Sequence, residues 1–174
     1  MIEILRERRS IRKYKATAID TQTVDVIKEA LLRSPSSRGI NPWTFIFVDQ
    51  KDLLQKLSKT KEHGSEFVKD AALGIVICGD ETKSDVWIED CSIASILAQL
   101  AGQSVGLGSC WCQIRNRTHS REKSAESYVQ ELLHLPAHLK VLSIIALGVP
   151  AESRTPIARE QLDYTKIRYN TYDR

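Results

Sequence analysis

The sequence predicts an α+β sandwich, a central mixed or antiparallel sheet covered by helices, built as a single domain over residues 1–174. Three observations carry that expectation. Helix-like and strand-like segments intermix without the regular βαβ alternation of a parallel sheet. Three runs, "WTFIFVD", "AALGIVICGD" and "VLSIIALG", have the β-branched and apolar composition of buried strands. The longest helical pattern, residues 85–105, is apolar on most of its sides, as befits a central helix. A chain of 174 residues suffices for one substantial core and is short for two.

Taken in order, residues 2–9 read as a short helix carrying Ile2, Ile4 and Leu5, and residues 21–33 as a stronger one. In the second, Val24, Ile27 and Leu31 share a stripe with Ala30, and Thr21 is placed to cap. "SPSSRGINP" breaks that helix with Pro, Gly and small hydroxyl residues before the first strand begins at Trp43. Residues 52–59 form a short helix, and the second strand ends near Gly79. In the long helix, Trp87, Cys91, Ala94, Ala98, Ala101 and Val105 lie on one stripe, and Ile93, Leu97 and Leu100 on another. Gly106 offers its stop, and "SCWCQI" follows as a short strand. Residues 122–133 make an exposed helix ahead of the last strand. The tail, residues 150–174, is polar, contains Pro156 and three tyrosines, and has few apolar residues with which to pack on its own domain.

Composition excludes several classes. The 42% hydrophobic and 27% charged residues are ordinary for a globular domain, and the formal charge is only +3. The uncharged run from Cys91 to Ile114 has the length of a membrane span but contains Ser92, Ser95, Gln99, Gln103, Ser104, Ser109 and Gln113, too polar for lipid. No signal-peptide pattern opens the chain, so the expectation is a cytoplasmic protein without membrane partners. The four cysteines, at 78, 91, 110 and 112, are then structural thiols rather than a disulfide framework. A thiol or metal sensor built on Cys110 and Cys112 is a rival reading, although no histidine stands at ligand spacing.

Three stretches bear on chemistry. In "RRSIRKY", residues 8–14, arginine forks match phosphate oxygens, and Arg8 and Arg12 share a face if the first helix continues through them. From Arg6 to Lys15 there are six basic residues against Glu7 alone, which fits an anion site, a solvated face or a basic nucleic-acid-binding arm. In "SPSSRGINPW", residues 34–43, small residues let backbone N–H groups and the hydroxyls of Ser36 and Ser37 approach a planar polar ligand, with Asn41 as donor and acceptor. The same composition fits an ordinary loop. In "GLGSCWCQ", residues 106–113, the buried helix turns into a strand; it lacks the spacing of a dinucleotide fingerprint.

As an ordered set covering nearly the whole chain, "RRSIRKY", "SPSSRGINPWTF", "DAALGIVICGD", "EDCSIASILAQLAGQSVGLGSCW" and "LSIIALGVPAES" resemble the FMN-dependent nitroreductase family. The resemblance implies a three-layer α+β sandwich that forms a domain-swapped homodimer around the long helix, with flavin at the subunit interface and the 150–174 arm packing on the partner. It implies an NAD(P)H oxidoreductase in which NADH or NADPH reduces FMN and a small-molecule acceptor, a nitroaromatic or quinone, follows into the same pocket in ping-pong fashion. No nucleic acid, metal or catalytic side chain is implied.

By the same resemblance, Arg8, Arg9 and Ser10 hold FMN, the arginines at phosphate and ribityl oxygens, and Arg12 faces the flavin N1 and C2 carbonyl. Pro35, Ser36 and Ser37 reach the flavin of the other subunit, with Arg33 and Arg38 as further phosphate contacts. Asn41 stands where the family more often has Gln, and Gly39 where it more often has Asn. Trp111, Cys112 and Gln113 match the backbone segment beside flavin N5 and O4, and Arg159 is the candidate basic residue of the C-terminal part.

Overall fold

In the computed structural model, which describes residues 1–172, the chain folds as three layers. The middle layer is a four-stranded sheet of β1 (Trp43–Val48), β2 (Leu73–Asp80), β3 (Gly108–Gln113) and, last in the chain, the strand Leu139–Gly148. A short hairpin, β4 (Thr118–Ser120) and β5 (Lys123–Ser124), intervenes, so the last strand is β6. Spatial order is β1-β2-β6-β3, and every ladder is antiparallel, which resolves the mixed-or-antiparallel expectation.

One face of the sheet carries α2 (Thr21–Leu32) and α4 (Trp87–Ser104); the other carries α3 (Lys51–Leu57) and α5 (Ala125–Leu132). Strand periodicity divides the core accordingly. Ile75 and Ile77 of β2 join Ile27, Leu31, Cys91, Ala94 and Ala98 on the α2/α4 side. Val76 and Cys78 join Leu54, Leu57 and Val129 on the other. Each fully buried Ile or Leu contributes about 1.5–3 kcal/mol, so these two half-cores fix the sheet register. A bulge between β2 and β6 makes Leu142 an extra residue, and its carbonyl accepts from the N–H groups of both Ile114 and Arg115. Past the bulge the Ser143 hydroxyl meets that of Ser95 on α4 at 3.1 Å.

Several element ends differ from the sequence expectation. The first helix, α1 (Ile2–Glu7), stops before the arginines, because Arg8 is already extended at φ −61°, ψ 124°. Arg8 and Arg12 therefore do not share a helix face. Asp20, not Thr21, caps α2 by accepting from the Thr23 N–H at 2.9 Å. The exposed helix expected over residues 122–133 is shorter, its first turn replaced by the hairpin, with Ser124 as its cap. By contrast α4 ends as expected: Gly106 takes φ 81°, and the N–H groups of Leu107 and Gly106 bond back to Gly102 at 2.9 Å and Gln103 at 3.2 Å.

Residues 10–14 leave α1 extended and run along the outer side of the sheet. Ser10 makes a parallel bridge to Ser109, and Tyr14 an antiparallel bridge to Pro150. The approach is close: a Cβ on Gly108 would stand 2.8 Å from Ile11 Cβ, and one on Gly148 2.9 Å from the Tyr14 ring. The tail beyond Ala151 makes two single helical turns, Arg159–Gln161 and Tyr164–Lys166, with its tyrosines exposed. Asp173 and Arg174 of the expected arm lie outside the described residues.

Candidate functional site

The outer edge of β3 is where the sequence-selected residues converge. In an antiparallel strand, both backbone polar groups of a residue point to the same side, alternating along the chain. The Ile114 N–H bonds inward to Leu142, and the Ser109 carbonyl accepts outward from the Ile11 N–H at 2.9 Å. Odd-numbered residues of β3 therefore face away from the sheet. Trp111 and Gln113 present their N–H groups on this edge, where no other strand lies among the described residues, while Cys112 is turned to β6. The Gln113 side chain is already occupied: it accepts from Trp111 Nε1 at 2.9 Å and donates to the Arg115 carbonyl at 3.0 Å.

The arginine segment joins this edge at its start, where Ser10 bridges Ser109. The Arg12 guanidinium lies 5.8 Å from the centre of the Phe67 ring, and its backbone N–H donates to Glu152 Oε1 at 2.7 Å. Glu152 also accepts from the Lys13 N–H, and these bonds hold its carboxyl below the ordinary value of 4.5. Burial pushes the Cys110 thiol up, and the charges of Arg12, Lys61 and Arg8 and a hydrogen bond with Ser10 each pull it partly back. Lys61 was missed in the sequence because it sits in "KTKEHGS", which has no pattern beyond a polar loop. The tertiary structure brings that loop against β3: the Cys112 thiol approaches the Gly64 carbonyl at 3.8 Å, and Lys61 Nζ lies beside Gly64.

Arg8 and Arg9 face a cavity of about 590 Å³ between α1 and the tail, and Arg159 lines it with them. Arg9 donates to the Thr155 carbonyl, tying the arginine segment to the tail. Ile2, Leu5 and Ile157 supply apolar wall.

The loop at residues 34–41 is elsewhere. It precedes β1, the far edge strand, so three strand spacings, about 14 Å, separate it from β3 across the sheet. Within it Ser36 Oγ pairs with Asn41 Oδ1 at 2.7 Å and accepts from the Asn41 N–H at 2.8 Å. Arg38 pairs with Asp85 at 2.6 Å, and Arg33 turns back to Glu29 of its own helix at 2.7 Å. A single chain thus brings together Arg8, Arg9, Ser10, Arg12, Arg159 and the 111–113 strand, and leaves Pro35, Ser36, Ser37 and Asn41 apart from them.

Two rival readings lose support on this geometry. The basic segment is no projecting arm, since Ile11 and Tyr14 are buried and its backbone is laced to Ser109 and Val149. The four thiols are buried, and burial pushes Cys78 and Cys91 up to about 12 and Cys112 up to about 11, as for structural thiols rather than reactive ones. Among the described residues no group of three or more His, Cys, Asp or Glu is gathered for a metal, and no helix is long and apolar enough to cross a membrane.

Comparison with known proteins extends the picture. The nitroreductase family model matches residues 5–63 and 55–149. A solved structure described as an FMN-dependent nitroreductase from Clostridium difficile R20291 is 43% identical, superposes with a TM-score of 0.97, and the match covers 98% of this chain and 99% of that one. A Methanothermobacter thermautotrophicus protein with the provisional name NADH dehydrogenase/NAD(P)H nitroreductase is 34% identical over 170 residues, 96% of this chain and 85% of the relative. The FMN reductase [NAD(P)H] of Bacillus subtilis is 25% identical over 173 residues, 87% of this chain and 66% of the relative.

Proposed function

Because the chain belongs to the nitroreductase family, whose members include FMN-dependent NAD(P)H oxidoreductases, we propose that it is a cytoplasmic homodimeric enzyme of that kind, acting on nitroaromatic or quinone-type acceptors with ping-pong kinetics. One observation carries the reading: the outward N–H groups of Trp111 and Gln113 lie on an open strand edge whose start, Ser109, is joined directly to the arginine segment through Ser10 and Ile11.

These residues fit FMN. A flat heteroaromatic ring with acceptor atoms along its rim suits a strand edge presenting two backbone donors about 7 Å apart. When bound, FMN supplies hydride transfer from NAD(P)H to the acceptor. The chain's own contribution is binding and electrostatics. The Trp111 and Gln113 N–H groups would orient the ring edge, and Arg12 would place positive charge where negative charge builds on reduction. Arg8 and Arg9 hold the phosphate end through charge-assisted bonds, with Arg159 completing that site. Ser10, bridged to Ser109, joins the two ends.

The site is half-built in one subunit, which supports the homodimer. The second α4 stripe is left uncovered: Ile93 is 39% exposed and Ile96 36%, beside half-buried Leu97 and Leu100. A partner seated there would bury the stripe and deliver its Pro35–Ser37 loop. Free cysteines throughout fit a reducing compartment.

The experiment is a visible spectrum of the purified protein, identification of the flavin after denaturation, and steady-state kinetics with NADH or NADPH against a quinone. A flavin spectrum, release of FMN and parallel double-reciprocal lines are expected. A colourless protein that takes up no FMN overturns the reading, and intersecting lines overturn the shared pocket.

A further inference from the structure

We propose that Asp90, on α4, is a positioning residue that locks the Ser36–Ser37 loop in the shape its partner subunit's cofactor requires. The proposal rests on the FMN reading above. Asp90 is only 3% exposed and has no cationic partner among the described residues. Its Oδ1 accepts from the Ser37 N–H at 2.8 Å, across 53 residues of chain. Its Oδ2 is buried without a hydrogen-bond partner. A carboxylate buried this way is costly, and an apolar residue on the α4 stripe would serve the core better. The bond to Ser37 is therefore the reason for its place.

The loop needs such a lock. Arg38 at φ 55°, Gly39 at φ 66° and Asn41 at φ 52° are all left-handed; Gly and Asn tolerate that region, and Arg38 carries a side chain that disfavours it. The other restraints are exposed: the Ser36–Asn41 pair and the Arg38–Asp85 ion pair, the latter with side chains 64% and 80% accessible, contribute little against solvent. Within residues 36–41, and among the described residues, the Asp90–Ser37 bond is the one hydrogen bond that fastens the loop to the core; the next fastening is at Pro42, whose carbonyl accepts from the Asp80 N–H at 2.9 Å. Trp43, directly after the loop, also has its indole Nε1 buried without a partner, and its cross-strand partner Gly79 lies against Trp87 and Cys91, which flank Asp90 on α4. Loop and helix therefore meet in a buried polar contact, with Asp90 Oδ1 as the acceptor for the loop's Ser37 N–H.

The test uses Asp90→Leu, which keeps the branched shape but removes the acceptor and the orphaned oxygen, and Asp90→Asn, which keeps one acceptor. Amide hydrogen exchange at Ser37 is measured in the flavin-free protein, and FMN affinity by titration. Expected results are Ser37 protection in the wild type, exchange about tenfold faster in Asp90→Leu, FMN binding weakened by about tenfold, an unlowered thermal midpoint, and recovery of both to within about twofold in Asp90→Asn. An unprotected Ser37 amide in the wild type overturns the proposal even if no variant can be purified. So does an Asp90→Leu protein with unchanged exchange or unchanged FMN affinity, or an Asp90→Asn protein as impaired as Asp90→Leu. If the wild type binds no FMN but Ser37 is protected and released by Asp90→Leu, the FMN reading has failed while the lock itself stands, and its proposed service to the cofactor falls with that reading.

Discussion

Arg8, Arg9 and Arg12 lie within five positions of each other yet meet different surroundings: Arg8 and Arg9 both line the cavity beside the tail, and Arg12, beyond the bridge from Ser10 to Ser109, does not. Arg9 is tied to the tail carbonyl of Thr155, whereas Arg12 lies over Phe67 near Cys110. Replacing Arg8 with Ala is expected to weaken FMN binding by about 1.5–3 kcal/mol, the worth of a charge-assisted contact, with activity restored at saturating FMN. Arg12→Ala is expected instead to make bound FMN harder to reduce and to slow hydride transfer even at saturation, with Arg12→Lys between it and the wild type. Reduction potentials of the loaded variants check this; a shift in the Arg8 variant and none in Arg12→Ala would reverse the assignment. Glu152 gives a pH prediction. Its folded pKa is depressed by the Arg12 N–H bond above all, so its stabilisation is full above the ordinary 4.5 and is lost as pH falls through the lower folded value. Glu152→Gln should therefore flatten the acid limb of thermal midpoint against pH; an unchanged limb would show that the carboxylate does not anchor this segment.

In the proposed site, the 10–14 segment covers the first residues of the β3 edge and stops, leaving Trp111 and Gln113 open. That division depends on how closely the segment can approach. Gly108→Ala would force the new methyl into Ile11, whose Cβ, Cγ1 and Cγ2 stand 2.8–2.9 Å from it, and these are atoms of a branched side chain that cannot swing aside. The variant is expected to lose about 1–3 kcal/mol of stability from overpacking and to bind FMN more weakly, since Ser10 and Arg12 move with Ile11. Calorimetry and FMN titration on one preparation check both; a stable Gly108→Ala protein with full affinity would mean that the segment is not held where the site needs it.

As a whole molecule, the chain carries its exposed apolar residues on α1, the outer stripe of α4 and the tail, among them Ile2, Leu5, Ile93, Ile96, Ile157 and Leu162. The proposed dimer would bury the α4 stripe, and Ile2, Leu5, Ile157 and Leu162 line the cavity between α1 and the tail. Deleting the chain from Asp163 onward is expected to raise the dimer dissociation constant and to lower FMN occupancy together, because a site shared by two subunits binds cofactor only as a dimer. Sedimentation velocity with flavin absorbance reads both at once. A truncated chain that remains a tight, fully loaded dimer would make the tail an appendage.

Local pattern alone determined the α+β class, the four principal strands and the central helix with its glycine stop, because each rests on periodicity or on one residue's conformational preference, which act within a few positions of chain. It also singled out the arginine segment and the Ser36–Ser37 loop, through side chains whose chemistry shows at any fold, whereas the 111–113 strand was picked out by the resemblance of the ordered motifs to the nitroreductase family. What it left out are facts of long-range contact. The end of α1 at Glu7 follows from Ser10 and Ile11 finding partners on β3, a gain no helical turn through Arg8 and Arg12 matches. Lys61 and Asp90 gain their places only when a polar loop meets β3 and a helix meets a loop 53 residues distant. The separation of the two halves of the site by the width of a sheet was decided by strand order, β1 and β3 falling on opposite edges, and strand order is set by which apolar faces pack together, a property of the assembled core that no single stretch of sequence contains.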